Sequence, residues 1–279
     1  MVEQAESRPP DACPMCRNEL RCVWVYDAPP EGETRFDLGS DTYHREIHQC
    51  QVCGHFVSIG NFDLSRLYEG AYVGATYGRD GMRQTFERIV ALPPEKSDNL
   101  GRVGCIRVFA ECHFQESVLA GRSPTILDVG SGLGVFPYQI QKSGWTATAL
   151  DPDPNAVAHI SEVAGVSAIC GDFMKSADLG KYDVISFNKV LEHVTDPVAM
   201  LAQSKNYLQP GGFVYVELPD GEAAADAGFG REEFFVEHHH VFSMASIILL
   251  GSQAGFRTLT VERLREPSSK FTLRAFLKQ

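Results

Sequence analysis

The chain lacks any surplus of basic charge: 25 Lys and Arg stand against 36 Asp and Glu in 279 residues, a formal net charge of −11. A protein that neutralises many phosphates presents a basic face, so nucleic acid is not the expected partner. Long apolar runs are missing as well. The longest, around MASIILLG, falls far short of the roughly 20 residues that cross a bilayer, and no membrane segment is expected. The polar opening MVEQAESRPPD has no apolar stretch of the secretory kind, which makes a cytoplasmic location the expectation. Internal repeats and low-complexity stretches are absent too. What is present, 44% apolar and 22% charged residues, is ordinary for a soluble globular protein with a sizeable core.

Eight cysteines in a reducing compartment read as metal ligands before disulfides. Four of them form two matched pairs, Cys13-Pro-Met-Cys16 and Cys50-Gln-Val-Cys53. The C-x2-C spacing lets a short turn bring two thiolates to one tetrahedral ion, so two such turns predict a closed, structural Zn2+ site in a ribbon-like unit over residues 1–62. RCVWVYDA and TYHREIHQC alternate as strands of that ribbon. Cys22, His44, His48 and His55 are rival ligands without a matched partner pair.

Residues 63–121 read as a helical lid or linker, Tyr- and Gly-rich at first, interrupted at ALPPEKSDN where tandem prolines stop a helix. From residue 122 to 279 the pattern becomes alternating strand and helix, which predicts an α/β fold with a largely parallel sheet. TILDVGSG, WTATALDP, VSAICGDF, YDVISFNKV and GGFVYVELPD supply strands, and FRTLTVERLR with KFTLRAFLKQ reads as a closing antiparallel hairpin.

The first strand runs into Gly130, Gly132 and Gly134. A dinucleotide fingerprint G-x-G-x-x-G would put its third glycine at Val135 or at Pro137, so both registers fail. The alternating G-x-G-x-G, with Asp128 two residues before it and Ser131 within it, suits a ligand with a cationic amino-acid end. Asp151, followed by Pro152, ends the second strand, where one carboxylate can accept two ribose hydroxyls. Asp172 ends the third, placed for an adenine amino group with Phe173 beside the ring, and Asn188 and Lys189 end the fourth, placed to reach the ligand through their backbones.

These segments carry a resemblance. ILDVGSGLG, ALDPDP, CGDF, YDVISFNKVLEHVTDP and LQPGGFVYVELP match, in order, the successive motifs of class I S-adenosylmethionine-dependent methyltransferases. The resemblance implies a Rossmann-like, seven-stranded sheet with an antiparallel last strand, S-adenosyl-L-methionine as cofactor, and in-line methyl transfer. Methyl transfer needs mainly alignment, with a base where the nucleophile holds a proton. His193, after the fourth strand, is the natural base, and Glu192 reads as a residue that holds the loop.

VEHHHVFSM, after the fifth strand, faces the same edge. It is similar to a segment of the sugar C-methyltransferases, which have an N-terminal zinc domain and a Glu-His pair before a helix. That resemblance implies that His193, Glu237 and His238 surround the acceptor, with Tyr77 from the lid beside them and Tyr72 near the cofactor. LEHVTDP also resembles quinone-type O-methyltransferases. His239 and His240 read as a polar turn. The expectation is a methyltransferase of a small polar metabolite, a nucleotide-linked sugar or a natural-product intermediate. The alternatives are an RNA methyltransferase that reads through its ribbon, or a cofactor-binding module without catalysis.

Overall fold

The computed structural model describes residues 12–34, 43–60, 71–114 and 121–279, and of residues 71–80 the backbone alone. The chain opens with β1 (Leu20–Tyr26), β2 (Arg45–Cys50) and β3 (Phe56–Gly60), an antiparallel meander with the two cysteine turns at one end. Two helices follow, α1 (Ala71–Val90) and α2 (Asp98–His113), separated by the proline break. Ser97 caps α2 by accepting from the Leu100 N–H at 3.2 Å.

Strand β4 (Thr125–Val129) is the first of the large sheet, and α3 (Val135–Lys142) returns from it. Then come β5 (Thr146–Asp151), α4 (Pro154–His159), β6 (Ser167–Cys170), β7 (Tyr182–Asn188), α5 (Pro197–Gln203), β8 (Leu208–Pro219) and α6 (Gly221–Ala227). The short β9 (His240–Val241), α7 (Met244–Gln253), β10 (Arg257–Arg265) and β11 (Phe271–Lys278) complete the chain. Local chemistry explains several starts: Asp153 and Asp196 cap helices that begin with proline, and Ser243 with Ser246 forms a reciprocal capping box.

The large sheet has seven strands in the order β10-β11-β8-β7-β4-β5-β6, and β11 runs antiparallel to both neighbours. The predicted α/β sheet with its antiparallel last strand and closing hairpin is therefore present. The chain leaves β4 toward β5 and β6 on one side, then returns to β7 on the other. This reversal opens a crevice at the carboxyl ends of β4 and β7, where ligands bind in open α/β sheets. The strands are buried on both faces, with Ile126 and Val184 in one apolar cluster and Leu127, Val129 and Phe187 in the other. That explains their continuous apolar runs.

Strand β9 lies outside this sheet. It pairs with β3 and becomes the fourth strand of the meander, in the order β1-β2-β3-β9. The units predicted at 1–62 and 122–279 thus share a sheet. The stretch that carries Glu237 and His238 is fastened to the N-terminal ribbon.

Candidate active site

At the crevice, Asp128 is 2% exposed and its Oδ1 accepts from Ser186 Oγ at 2.8 Å and Asn188 Nδ2 at 2.6 Å. Burial pushes its carboxyl up to about 6, against the pull of those donors. Gly130, Gly132 and Gly134 all have positive φ, the left-handed region that favours glycine. A Cβ on Gly130 would lie 2.8 Å from Val190 Cγ2, whereas one on Gly132 would meet nothing within 4 Å. The loop is thus tight against the fold at its first glycine and open toward the crevice at its second.

Asp151 uses each oxygen once inside the protein: Oδ2 accepts from the Gly132 N–H at 2.8 Å and Oδ1 from the Asp153 N–H at 2.9 Å. Each carboxylate oxygen retains accepting capacity for a ligand hydroxyl. Asn188 Oδ1 is buried with no hydrogen-bond partner among the described residues, an acceptor at the mouth of the same crevice. Asp172 sits just past β6 and is partly spent on its own loop, where it accepts from the Met174 N–H and pairs with Lys175. Ser131 Oγ donates to Asp128 O, and Pro152 is exposed beside Asp151. Asp128, Gly132, Asp151 and Asn188 thus converge, and their donor set fits an amino-acid and ribose-bearing cofactor. Phe173 does not join them. It is 2% exposed and packs edge-to-face on Phe187 in the core, because the apolar cluster beneath β6 takes the ring that was expected beside adenine. Tyr72 and Tyr77 lie on α1, and their side chains are outside the described residues.

Past Asn188 a cavity of about 260 Å³ opens, walled by Lys189, Glu192, His193, Glu217 and His238 among others. Lys189 has φ +58, a conformation that a non-glycine residue rarely adopts and that marks functional sites. Its side chain points into the cavity and Nζ donates to Thr272 Oγ1 at 3.0 Å, so the residue presents more than the backbone foreseen for it. His193 Nδ1 lies 2.9 Å from Glu237 O, and His238 Nδ1 lies 2.8 Å from Glu233 O. Both bonds require Nδ1–H, which in a neutral ring places the lone pair on Nε2. The rings are 4.8 Å apart, and burial holds both imidazoles below their ordinary range, so both are neutral near pH 7. Glu237 is 9% exposed, and burial raises its carboxyl.

Two expectations fail here. Glu192 does not hold its loop: it is fully buried, and neither carboxylate oxygen has a partner among the described residues. His240 is not part of a polar turn. It lies in β9, 5% exposed, with Nδ1 3.1 Å from Nε2 of His55, whose own Nδ1 lies 3.3 Å from Ser246 Oγ. His55, a rival metal ligand in the sequence, is thereby a buried joint between the ribbon and α7.

The cavity's far wall is an ion network with no local signature. Glu217 of β8 is clamped by Arg102 of α2 through Nε at 2.9 Å and Nη2, by Arg274 of β11 at 3.2 Å, and by the Tyr215 hydroxyl at 2.7 Å. Burial opposes its charge, but Arg102, Lys189 and Arg274 outweigh burial and hold its carboxyl well below the usual range. A group depressed in this way stabilises the fold above its unfolded value, about 4.3, and loses that contribution as pH falls. The urea midpoint of the wild type should therefore drop from pH 5 to pH 2 by more than that of a Glu217→Gln variant.

In the ribbon, the four sulfurs of Cys13, Cys16, Cys50 and Cys53 lie within 4.8 Å of one another, with Cys13–Cys53 at 3.5 Å and Cys16–Cys50 at 3.3 Å. These separations are near the ~3.8 Å edge of a zinc–thiolate tetrahedron. The N–H groups of Met15, Val52 and Cys53 point at the sulfurs, as thiolates require. The donor set fits a Zn2+ ion closed on all sides. Cys22, Glu46 and His48 form a second cluster, with ligand atoms also within 4.8 Å of one another, in which Cys22 is exposed and His48 buried.

Comparison with known proteins agrees with this geometry. A family model described as a methyltransferase domain matches residues 82–261. A ubiquinone biosynthesis O-methyltransferase of Caulobacter vibrioides is 28% identical over 150 residues, 46% of this chain and 60% of that protein. One from Pseudomonas paraeruginosa is 32% identical over 105 residues, 35% of this chain and 44% of that protein. The chain thus spans about half the length of the curated relatives it matches. The solved magnesium protoporphyrin IX methyltransferase of Synechocystis PCC 6803, with bound SAH, superposes with a TM-score of 0.51 at 14% identity, covering 72% of this chain and 98% of that one. That likeness establishes the fold. No helix among the described residues is long and apolar enough to cross a membrane.

Proposed function

The chain belongs to the methyltransferase-domain family, and from that premise we propose that it transfers a methyl group from S-adenosyl-L-methionine to a small, polar, oxygen-rich acceptor such as a sugar derivative. The observation that carries this reading is a cavity walled by two neutral imidazoles that includes Lys189, the residue next in the chain to Asn188 of the Asp128–Gly132–Asp151 crevice. When bound, the cofactor supplies an electrophilic methyl on a sulfonium. Asp128 would receive its ammonium and Asp151 its ribose hydroxyls, with Asp172 and the loop residues Gly130, Ser131 and Gly134 around it.

The acceptor would sit in the cavity, oriented by Glu237, with His193 or His238 taking its proton on Nε2. Proton removal by such a base is worth about 10²–10⁴ in rate. The lining supports a polar acceptor: among the described residues Pro219, Phe235 and Phe271 are its only apolar members, against seven carboxylates and three cationic residues, so these walls offer a prenylated phenol little apolar surface. Zn2+ on Cys13, Cys16, Cys50 and Cys53 would hold the ribbon and take no part in the chemistry, because four thiolates leave no open position.

Calorimetry tests the first half. Metal-loaded protein should bind S-adenosylmethionine, and Asp151→Ala should weaken binding by about 100-fold, the worth of two charge-assisted hydrogen bonds. Absence of binding to folded wild type would sink the proposal. The histidines separate in a second measurement. His238→Ala should lower turnover by about 100-fold with little change in stability, whereas His240→Ala should lower the unfolding midpoint, since it leaves His55 buried without its partner. The acid limb of kcat/KM should lie below the ordinary imidazole value of about 6.5, because burial depresses both candidate bases. A limb above that value would exclude them.

A further inference from the structure

Glu192 is fully buried, has no hydrogen-bond partner for either oxygen among the described residues, and still forms part of the cavity wall. Leaving a buried carboxyl unbonded is costly, and a native protein rarely keeps one without a use. We propose that Glu192 is the anchor for a hydroxyl or carbonyl oxygen of the acceptor, and that this contact selects a hydroxylated, sugar-like acceptor over a phenol. The inference rests on the methyltransferase reading and adds to it a specificity residue.

Two observations support it. A ligand atom of Glu192 lies within 4.8 Å of ring nitrogens of both His193 and His238, so an acceptor bonded to Glu192 is held against the candidate bases. Burial raises its carboxyl to about 8, so that near neutrality it is a protonated acid, at once donor and acceptor, which complements a neutral hydroxyl. Lys189 of the same wall, its Nζ donating to Thr272 Oγ1, pulls the Glu192 carboxyl toward ionisation, and burial outweighs that pull. The competing idea that Glu192, His193 and His238 hold a divalent cation is an outcome of the test.

The test uses the whole metal-loaded chain with S-adenosylhomocysteine, methyl β-D-glucopyranoside as hydroxylated probe and catechol as phenolic probe, read by saturation-transfer NMR. The glucoside should receive saturation, Glu192→Leu should weaken its binding by about tenfold, and Glu192→Gln, which keeps a donor and an acceptor, should restore it to within about twofold. No glucoside signal, a signal indifferent to Glu192→Leu, or a stronger signal from catechol overturns the proposal. So does water relaxation by added Mn2+ that Glu192→Leu abolishes, which would make the cluster a cation site. Calorimetry of S-adenosylhomocysteine on the same samples separates the two levels: failure of the wild type to bind it overturns the methyltransferase reading, whereas retained binding with an indifferent glucoside overturns the anchor alone. Should Glu192→Leu fail to fold, the infrared difference between wild type and Glu192→Gln isolates the Glu192 carboxyl band. A band that does not move when glucoside is added overturns the proposal.

Discussion

Arg45→Met should lower stability by about 3–5 kcal/mol and reduce methyl transfer by about 100-fold while the cofactor still binds. Arg45 is 1% exposed, and its guanidinium is spread over an unusual set of partners. Nη2 meets Glu33 at 3.1 Å, Nη1 donates to Phe234 O at 2.6 Å and to Ser58 Oγ at 3.3 Å, and Nε donates to the Tyr43 hydroxyl at 3.0 Å. Glu33 in turn accepts from the Val236 N–H at 2.7 Å. The pair therefore holds the backbone on both sides of Phe235, immediately before Glu237 and His238. Removing the cation strands the Glu33 carboxylate in the interior and frees the Phe234 carbonyl, and each of these is a large penalty. The proposed cofactor residues lie at the ends of β4, β5 and β7, which the pair does not touch, so affinity for S-adenosylmethionine should survive. Urea unfolding, turnover and calorimetry read the three quantities. Arg45→Lys should fall between wild type and Arg45→Met, since it keeps the charge but not the planar fork. A variant as stable and active as wild type would show that the ribbon does not position the acceptor segment.

Removing the proposed Zn2+ should do more. Zinc–thiolate sites of this kind contribute about 10–16 kcal/mol in small peptides at neutral pH, so chelation or Cys50→Ser should dismantle the ribbon. The damage should then follow the hydrogen bonds. β3 carries β9 through Phe56 and Val57, and Cys53 O accepts from the Ser243 hydroxyl that also caps α7. Cys13, Cys50 and Cys53 moreover pack in the same apolar cluster as Ile247 and Leu250 of that helix. Hydrogen exchange should rise in β2, β3, β9 and the first turn of α7, and methyl transfer should be lost, while β4, β5 and β7 stay protected. Co2+ substitution should give the ligand-field spectrum of a tetrahedral thiolate site in wild type and not in Cys50→Ser. Exchange unchanged by chelation would refute the metal's structural role.

The cofactor crevice was the most legible feature. Asp128, the glycines and Asp151 are read from strand–turn–helix segments a few residues long, in which neighbours in sequence are neighbours in space. The acceptor wall was legible only in part. His193, Glu237 and His238 could be placed by their position after known strands. Arg102, Glu217 and Arg274 could not, because their contact joins α2, β8 and β11, and no local pattern announces that three charged residues will meet in the interior. Phe173 shows the reverse error: an aromatic beside an adenine-facing acid looked like part of the site, but the core beneath β6 took it. His240 and Glu192 were misread for one reason. Their roles depend on what is packed against them, on His55 in one case and on the wall of a cavity in the other.

The amino-acid sequence by itself determined the α/β sheet, the acids at its strand ends, the glycine turn and the paired cysteines, since each follows from periodicity or spacing within a short segment. The tertiary structure decided that the ribbon and the large sheet are joined through β9, that an arginine of one unit holds the acceptor segment of the other, and that one buried carboxyl stands unbonded in the cavity. Those outcomes come from long-range pairing and burial, and burial is the main cause that raises the Glu192 carboxyl.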